Sequence, residues 1–112
     1  MGGRAERVGE EVRAVIARAI LTDVSDPRLA SVCITAVHCT GDLRNARVFW
    51  NLVMPGQDPA EVEKAERALR RAASFLRRAV ADNLRIRATP ELVFVHDASI
   101  DRGRHMDQVI AG

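Results

Sequence analysis

The stretch DPAEVEKAERALRRAASFLRRAVADNLRIR, residues 58–87, decides how this chain folds. Asp58 is a natural N-cap, Pro59 fits the first helical position, and Glu61 completes a pattern like a capping box. Helical periodicity then runs to about Arg85. At 100° per residue, Val62, Leu69, Leu76 and Val80 fall on one side. Arg67, Arg71, Arg78 and Arg85 fall nearly opposite. One face is built for a core and the other is a basic ridge. A single helix over this range would be about 42 Å long, whereas a compact sphere of this chain length is roughly 35 Å across. A break is therefore expected at Ala72-Ala73-Ser74, giving helices at about 59–72 and 75–84. Serine competes for backbone hydrogen bonds there. Alanine is the best helix former, so a continuous or gently bent helix stays open.

The charge of the stretch is as informative as its periodicity. Between Lys64 and Arg87 stand eight basic residues, Lys64, Arg67, Arg70, Arg71, Arg77, Arg78, Arg85 and Arg87, against Glu66 and Asp82. The remainder of the chain holds nine basic and thirteen acidic residues, so a net charge of only +2 conceals a strong polarity. Arginine outnumbers lysine seven to one in this window, and its planar fork suits phosphate. An anionic partner follows, with nucleic acid favoured over a solvated helix face or an acidic protein.

Upstream, Val8, Val12, Val15, Ile16, Ala19 and Ile20 form one apolar stripe and predict a helix from about Ala5 to Leu21. Ser25-Asp26-Pro27-Arg28 ends it. Val32–Cys39 is rich in β-branched residues and reads as a strand. Thr40–Asn45 connects it to a second strand, Ala46–Val53, with Ala46, Val48, Trp50 and Leu52 on one face. The short connection implies an antiparallel hairpin. Beyond Thr89-Pro90, Glu91–His96 gives a third strand, and Asp97 to Ser99 a turn. At 112 residues, 47% of them hydrophobic and 29% charged, the chain suits one folded domain with a layer of helix on a three-stranded sheet. The expected organisation is a flexible 1–4, a domain over 5–102, and a flexible tail over 103–112.

No secretory signal or apolar run of about 20 residues is visible, so a cytoplasmic protein without membrane contact is expected. Cys33 and Cys39 lie on one strand about 20 Å apart, too far for a disulfide, and read as small buried or half-buried residues. An enzyme would need a constellation of reactive groups. His96, Asp97, Asp101 and His105 make the one conceivable metal cluster, but without regular ligand spacing. The plainer reading is a capped turn with a solvated His105. His38 reads as a polar strand-end residue. No phosphate-binding glycine loop is present. No catalytic residue, cofactor or metal is expected. Trp50 and Phe94 fit a core better than a stacking surface, so RNA binding should lean on phosphates and shape.

Taken together and in order, several stretches resemble bacterial ribosome-binding factor A over nearly the whole chain. They are Arg7-Val8, Asp26-Pro27-Arg28-Leu29, Ile34-Thr35-Ala36-Val37, Asp42-Leu43 and Ala46-Arg47-Val48. Phe75-Leu76-Arg77, Leu84-Arg85-Ile86-Arg87 and Pro90-Glu91-Leu92-Val93-Phe94 follow, then Asp97 and Ser99. The resemblance implies an α+β fold: one type II KH-like domain of order α-β-β-α-α-β, with helices on one face of a three-stranded mixed sheet. It also implies a kink in place of a GxxG loop. The kink maps to Ala72, Ala73 and Ser74, where serine replaces the family's glycine. The implied function is a non-enzymatic assembly factor for the small (30S) ribosomal subunit and its 16S rRNA. It would support late maturation and 5′-end processing, above all in the cold, as a monomer working with assembly GTPases. By carry-over, Ala72 to Ser74 mark where RNA approaches, Arg70, Arg71, Arg77 and Arg78 hold phosphates, and Arg85 and Arg87 extend the strip; Lys64 and Arg67 join the expected RNA-binding set from the basic ridge itself. The competing reading is a protein-interaction module that docks its basic ridge on an acidic partner.

Overall fold

The computed structural model describes residues 3–22, 26–54 and 58–98. Helix α1 spans Gly3–Thr22, so Gly3 and Arg4 are already helical. A short 3-10 turn, Pro27–Leu29, follows, with the Asp26 carboxylate accepting from the Arg28 N–H at 2.9 Å. Strand β1 is Val32–Cys39, β2 is Asn45–Leu52, helix α2 is Pro59–Asn83 and β3 is Glu91–His96. The expected tail beyond residue 102 lies outside the described residues.

The sheet is mixed, in the order β1-β2-β3, with β1 and β2 antiparallel and β2 and β3 parallel. Period-two alternation gives β2 its inner face: Ala46, Val48, Trp50 and Leu52 are all buried. Against them pack Val8, Val12, Ile16 and Ile20 of α1 and Leu69, Leu76 and Val80 of α2. Both helices thus cover one side of the sheet, while Arg47 and Val93 on the other side are exposed. Gly9 is where α1 comes closest to the sheet. A Cβ there would lie 2.7 Å from the carbonyl oxygen of Val37, so no side chain fits without moving backbone.

A register shift between Ile34 and Ala36 interrupts β1. One extra residue reverses which face the following side chains take. Cys33 pairs with Asn51 on the open side and is exposed, contrary to the expected burial, while Cys39 pairs with Ala46 toward the core. Partial burial raises the Cys39 thiol pKa above its ordinary value. In the β1–β2 connection, Leu43 takes a left-handed φ of 59°. The Asp42 carboxylate accepts from the Thr40 hydroxyl at 2.6 Å and the Arg44 N–H at 3.1 Å. Those bonds, the Thr40 one foremost, lower its pKa.

Beyond β3, Asp97 ties the sheet across its width. Its N–H donates to Trp50 O at 2.7 Å, and its carboxylate accepts from Thr35 at 3.0 Å. Asn51, buried despite its amide, donates to the Asp97 carbonyl at 2.8 Å. Its Oδ1 accepts from the Leu52 N–H and lies 3.0 Å from His96 Nε2. An amide oxygen only accepts, so this contact is a hydrogen bond in the His96 tautomer that bears its proton on Nε2. Asp101 and His105, the other members of the conceivable metal cluster, lie outside the described residues. No described helix is long and apolar enough to cross a membrane.

The expected division of 58–85 into two helices is corrected. Helix α2 is one element of 25 residues and passes through Ala72-Ala73-Ser74 without interruption. The element order is therefore α-β-β-α-β. A sphere of this chain length would be too narrow for such a helix, but the molecule is not a sphere. The molecule is a slab of 49 × 37 × 18 Å, two layers thick, and a 25-residue helix of about 37 Å lies within its plane. The ends need no cover either, because the buried positions run only from Ala65 to Val80.

Candidate nucleic-acid interface

Helix α2 begins as its sequence requires. The Asp58 carboxylate accepts from the Ala60 N–H at 2.8 Å, and Pro59 occupies the first turn. Glu61 does not serve a capping box. Its carboxylate faces Lys64 at 3.6 Å. Two further pairs follow one turn apart, Glu63 with Arg67 at 3.8 Å and Glu66 with Arg70 at 3.5 Å. Lys64, Arg67 and Arg70 each therefore have a local acid, and the ridge is partly neutralised along its N-terminal half. A simple count of charges from Lys64 onward leaves out Glu61 and Glu63.

The C-terminal half differs. Among the described residues, Arg71, Arg78, Arg85 and Arg87 form no ion pair within 4 Å. Asp82 stands one turn beyond Arg78 but does not close a pair with it. All four arginines are exposed. Arg71 and Arg78 are seven residues apart, two turns along one face. Arg85 and Arg87 follow the helix end, flanking half-buried Ile86, after Leu84 anchors the exit in the core.

Arg77 belongs to neither group. Its guanidinium donates to the carbonyls of Thr89 at 2.9 Å and Pro90 at 3.3 Å, and it pairs with Glu91 at 3.4 Å. It clamps the start of β3 to α2. Its donors are engaged in holding the fold, and its assignment as a phosphate ligand is not supported by this geometry.

Between α2 and the segment leading into β3 lies an open groove of about 460 Å³, lined by Ser74, Arg77, Arg78, Ala81, Asp82 and Thr89. Ser74 and Ala81 are exposed, Ala73 is half-buried and Ala72 is buried. Small side chains at the surface let another backbone approach. Ala72 points into the core and cannot offer such contact. Nor can Ser74 cap a second helix, since in an unbroken helix the local N–H groups bond carbonyls one turn back. A groove of about 530 Å³ at the other end of α2 includes Arg28 and Lys64. Lys64 is paired there with Glu61, while the groove beside Arg78 holds Asp82 as well, so formal charge alone does not rank the two grooves.

The family model described as ribosome-binding factor A matches residues 4–110. The chain belongs to the ribosome-binding factor A family. It is 40% identical over 107 residues to ribosome-binding factor A of Dechloromonas aromatica, covering 96% of this chain and 84% of that one. The crystal structure of ribosome-binding factor A from Thermus thermophilus is similar to it with a TM-score of 0.70 and 27% identity. That alignment covers 82% of this chain and 94% of that one. A further likeness, with a TM-score of 0.66 and 26% identity over 86% of this chain and 97% of the other, is to a Thermus thermophilus ribosome binding factor A homology model. Those coordinates are fitted into a cryo-EM map of its 30S complex. The α+β architecture with a three-stranded mixed sheet is thus shared with the ribosome-binding factor A structures.

Proposed function

We propose that this chain is a non-catalytic assembly factor that binds the immature small ribosomal subunit through 16S rRNA. The family and the 30S complex of a relative support the partner. The observation that carries the residue assignment is the set of four exposed arginines, Arg71, Arg78, Arg85 and Arg87, without an ion-pair partner among the described residues. An arginine without a local acid can neutralise a phosphate without first breaking an ion pair. RNA backbone approaches at Ala73, Ser74 and Ala81. Lys64, Arg67 and Arg70, each beside a local acid, add few direct contacts.

In this reading the protein acts in the cytoplasm as a monomer of one domain. It supports late 30S maturation and 5′-end processing of 16S rRNA, with the greatest effect in the cold, and an assembly GTPase cooperates in its cycle. Four phosphate contacts predict a log–log salt slope of about −2.8 to −3.6 for rRNA binding. The test is a salt titration of small-subunit RNA binding, joined to a nuclease footprint. A slope near zero with no footprint defeats the reading and favours an acidic protein as the partner of the ridge.

A further inference from the structure

Phe75 is the one phenylalanine or tryptophan that is exposed among the described residues, with 44% of its surface accessible. Trp50 is fully buried, and Phe49 and Phe94 are half-buried. A ring displayed in the middle of a helix loses the gain that burial would give it. It does not extend the core stripe, which passes through Ala72 and Leu76. Its neighbours on the helix surface are set by spacing. Arg71 lies four residues before it and Arg78 three after, both on the same side. Phe75 therefore stands between two arginines that have no ion-pair partner among the described residues.

An apolar anchor that docks on a protein surface without acidic side chains gains nothing from two uncompensated cations beside it. A nucleobase does, because its phosphates bring charge and its face brings π-surface. In a duplex the base faces are already stacked. The ring can meet only a base that is unpaired. We propose that Phe75 is a stacking platform for an unpaired base of the bound RNA, with Arg71 and Arg78 holding phosphates on either side. The proposal rests on the RNA-binding reading above and adds to it a preference for single-stranded or bulged RNA.

The experiment compares the full chain with its Phe75→Ala, Phe75→Leu and Arg71→Gln/Arg78→Gln variants. Two probes are used at one salt concentration: a short single-stranded RNA carrying a fluorescent purine analogue, and a blunt duplex of the same sequence. Phe75→Ala should weaken binding of the single strand about 5- to 150-fold and abolish the quenching of the analogue. Duplex affinity should stay within about twofold. Phe75→Leu keeps apolar bulk without a π-face and preserves the fold. It should lose nearly as much affinity as the alanine variant. Wild-type affinity in Phe75→Leu, or equal losses for single strand and duplex, overturns the stacking platform while leaving arginine-dependent RNA binding in place. Binding that ignores Arg71→Gln/Arg78→Gln overturns the RNA-binding assignment, and this proposal with it.

Discussion

The two halves of α2 bury the same kind of residue and display opposite kinds of surface. From Pro59 to Arg70 the helix carries acids one turn from its bases, at Glu61–Lys64, Glu63–Arg67 and Glu66–Arg70. From Arg71 onward, among the described residues, the exposed arginines have no such partners, and Arg77 is committed to the backbone of Thr89 and Pro90. Beneath both halves run the same buried positions, Leu69 in the first and Leu76 and Val80 in the second. A count of basic residues treats all eight alike. The structure separates them into self-neutralised, structural and available. Only the last group can gain from a phosphate without giving up an existing contact.

The common core is the first thing to test, because the largest effect is expected there. Leu69→Ala and Leu76→Ala each remove a fully buried side chain and should each cost about 2–5 kcal/mol in urea denaturation. A large loss at one and a negligible loss at the other would mean the two halves do not share one core. On the surface the halves should part. Arg71→Gln/Arg78→Gln should flatten the salt slope of rRNA binding by about 1.4 to 1.8. Arg67→Gln/Arg70→Gln should flatten it less, since Glu63 and Glu66 stand within 4 Å of those two arginines and compete for them. Equal flattening in the two double variants would erase the distinction between halves.

Arg77 sharpens the comparison from the other direction. Its hydrogen bonds reach over to the segment that leads into β3, yet its side chain is 44% exposed, so solvent screening reduces what the Glu91 pair contributes. Arg77→Gln should cost about 1 kcal/mol of stability and leave the salt slope unchanged. A flattened slope with intact stability would return Arg77 to the phosphate ligands.

Much of this arrangement was legible in the residues, for reasons that are local. The strand β3, Glu91–His96, and the inner face of β2 follow from alternation and β-branching, and both stand as expected. The start of α2 follows from Asp58-Pro59. The three acid–base pairs of its first half follow the i, i+3 and i, i+4 rule, with Glu61 and Glu63 standing just before the basic window. Other features depend on neighbours distant in sequence. Gly9 looks like a weak helix residue until Val37 O is seen beside it. Cys33 and Cys39 share a face in a regular strand, and only the bulge separates them. Arg77 and Glu91 are brought together by the return of the chain into β3, which no helix period encodes.

The smallest expected effect falls at Ser74, where the boundary between the halves was expected to be a break. If a second helix began there, the serine hydroxyl would cap it, and Ser74→Ala would cost about 0.5–2 kcal/mol. In the continuous helix Pro59–Asn83, Ser74 is an exposed interior position. Alanine is a better helix former than serine, so Ser74→Ala should instead stabilise by about 0.5 kcal/mol. Ser74→Gly should cost about the same amount, because glycine is worse than serine in a helix interior. The two substitutions thus carry opposite signs in a continuous helix. Across a capped break alanine would be the damaging one and glycine nearly silent. Urea denaturation of the pair reads the sign directly. A stability order with glycine above alanine would restore the break, and would divide α2 in backbone as well as in surface.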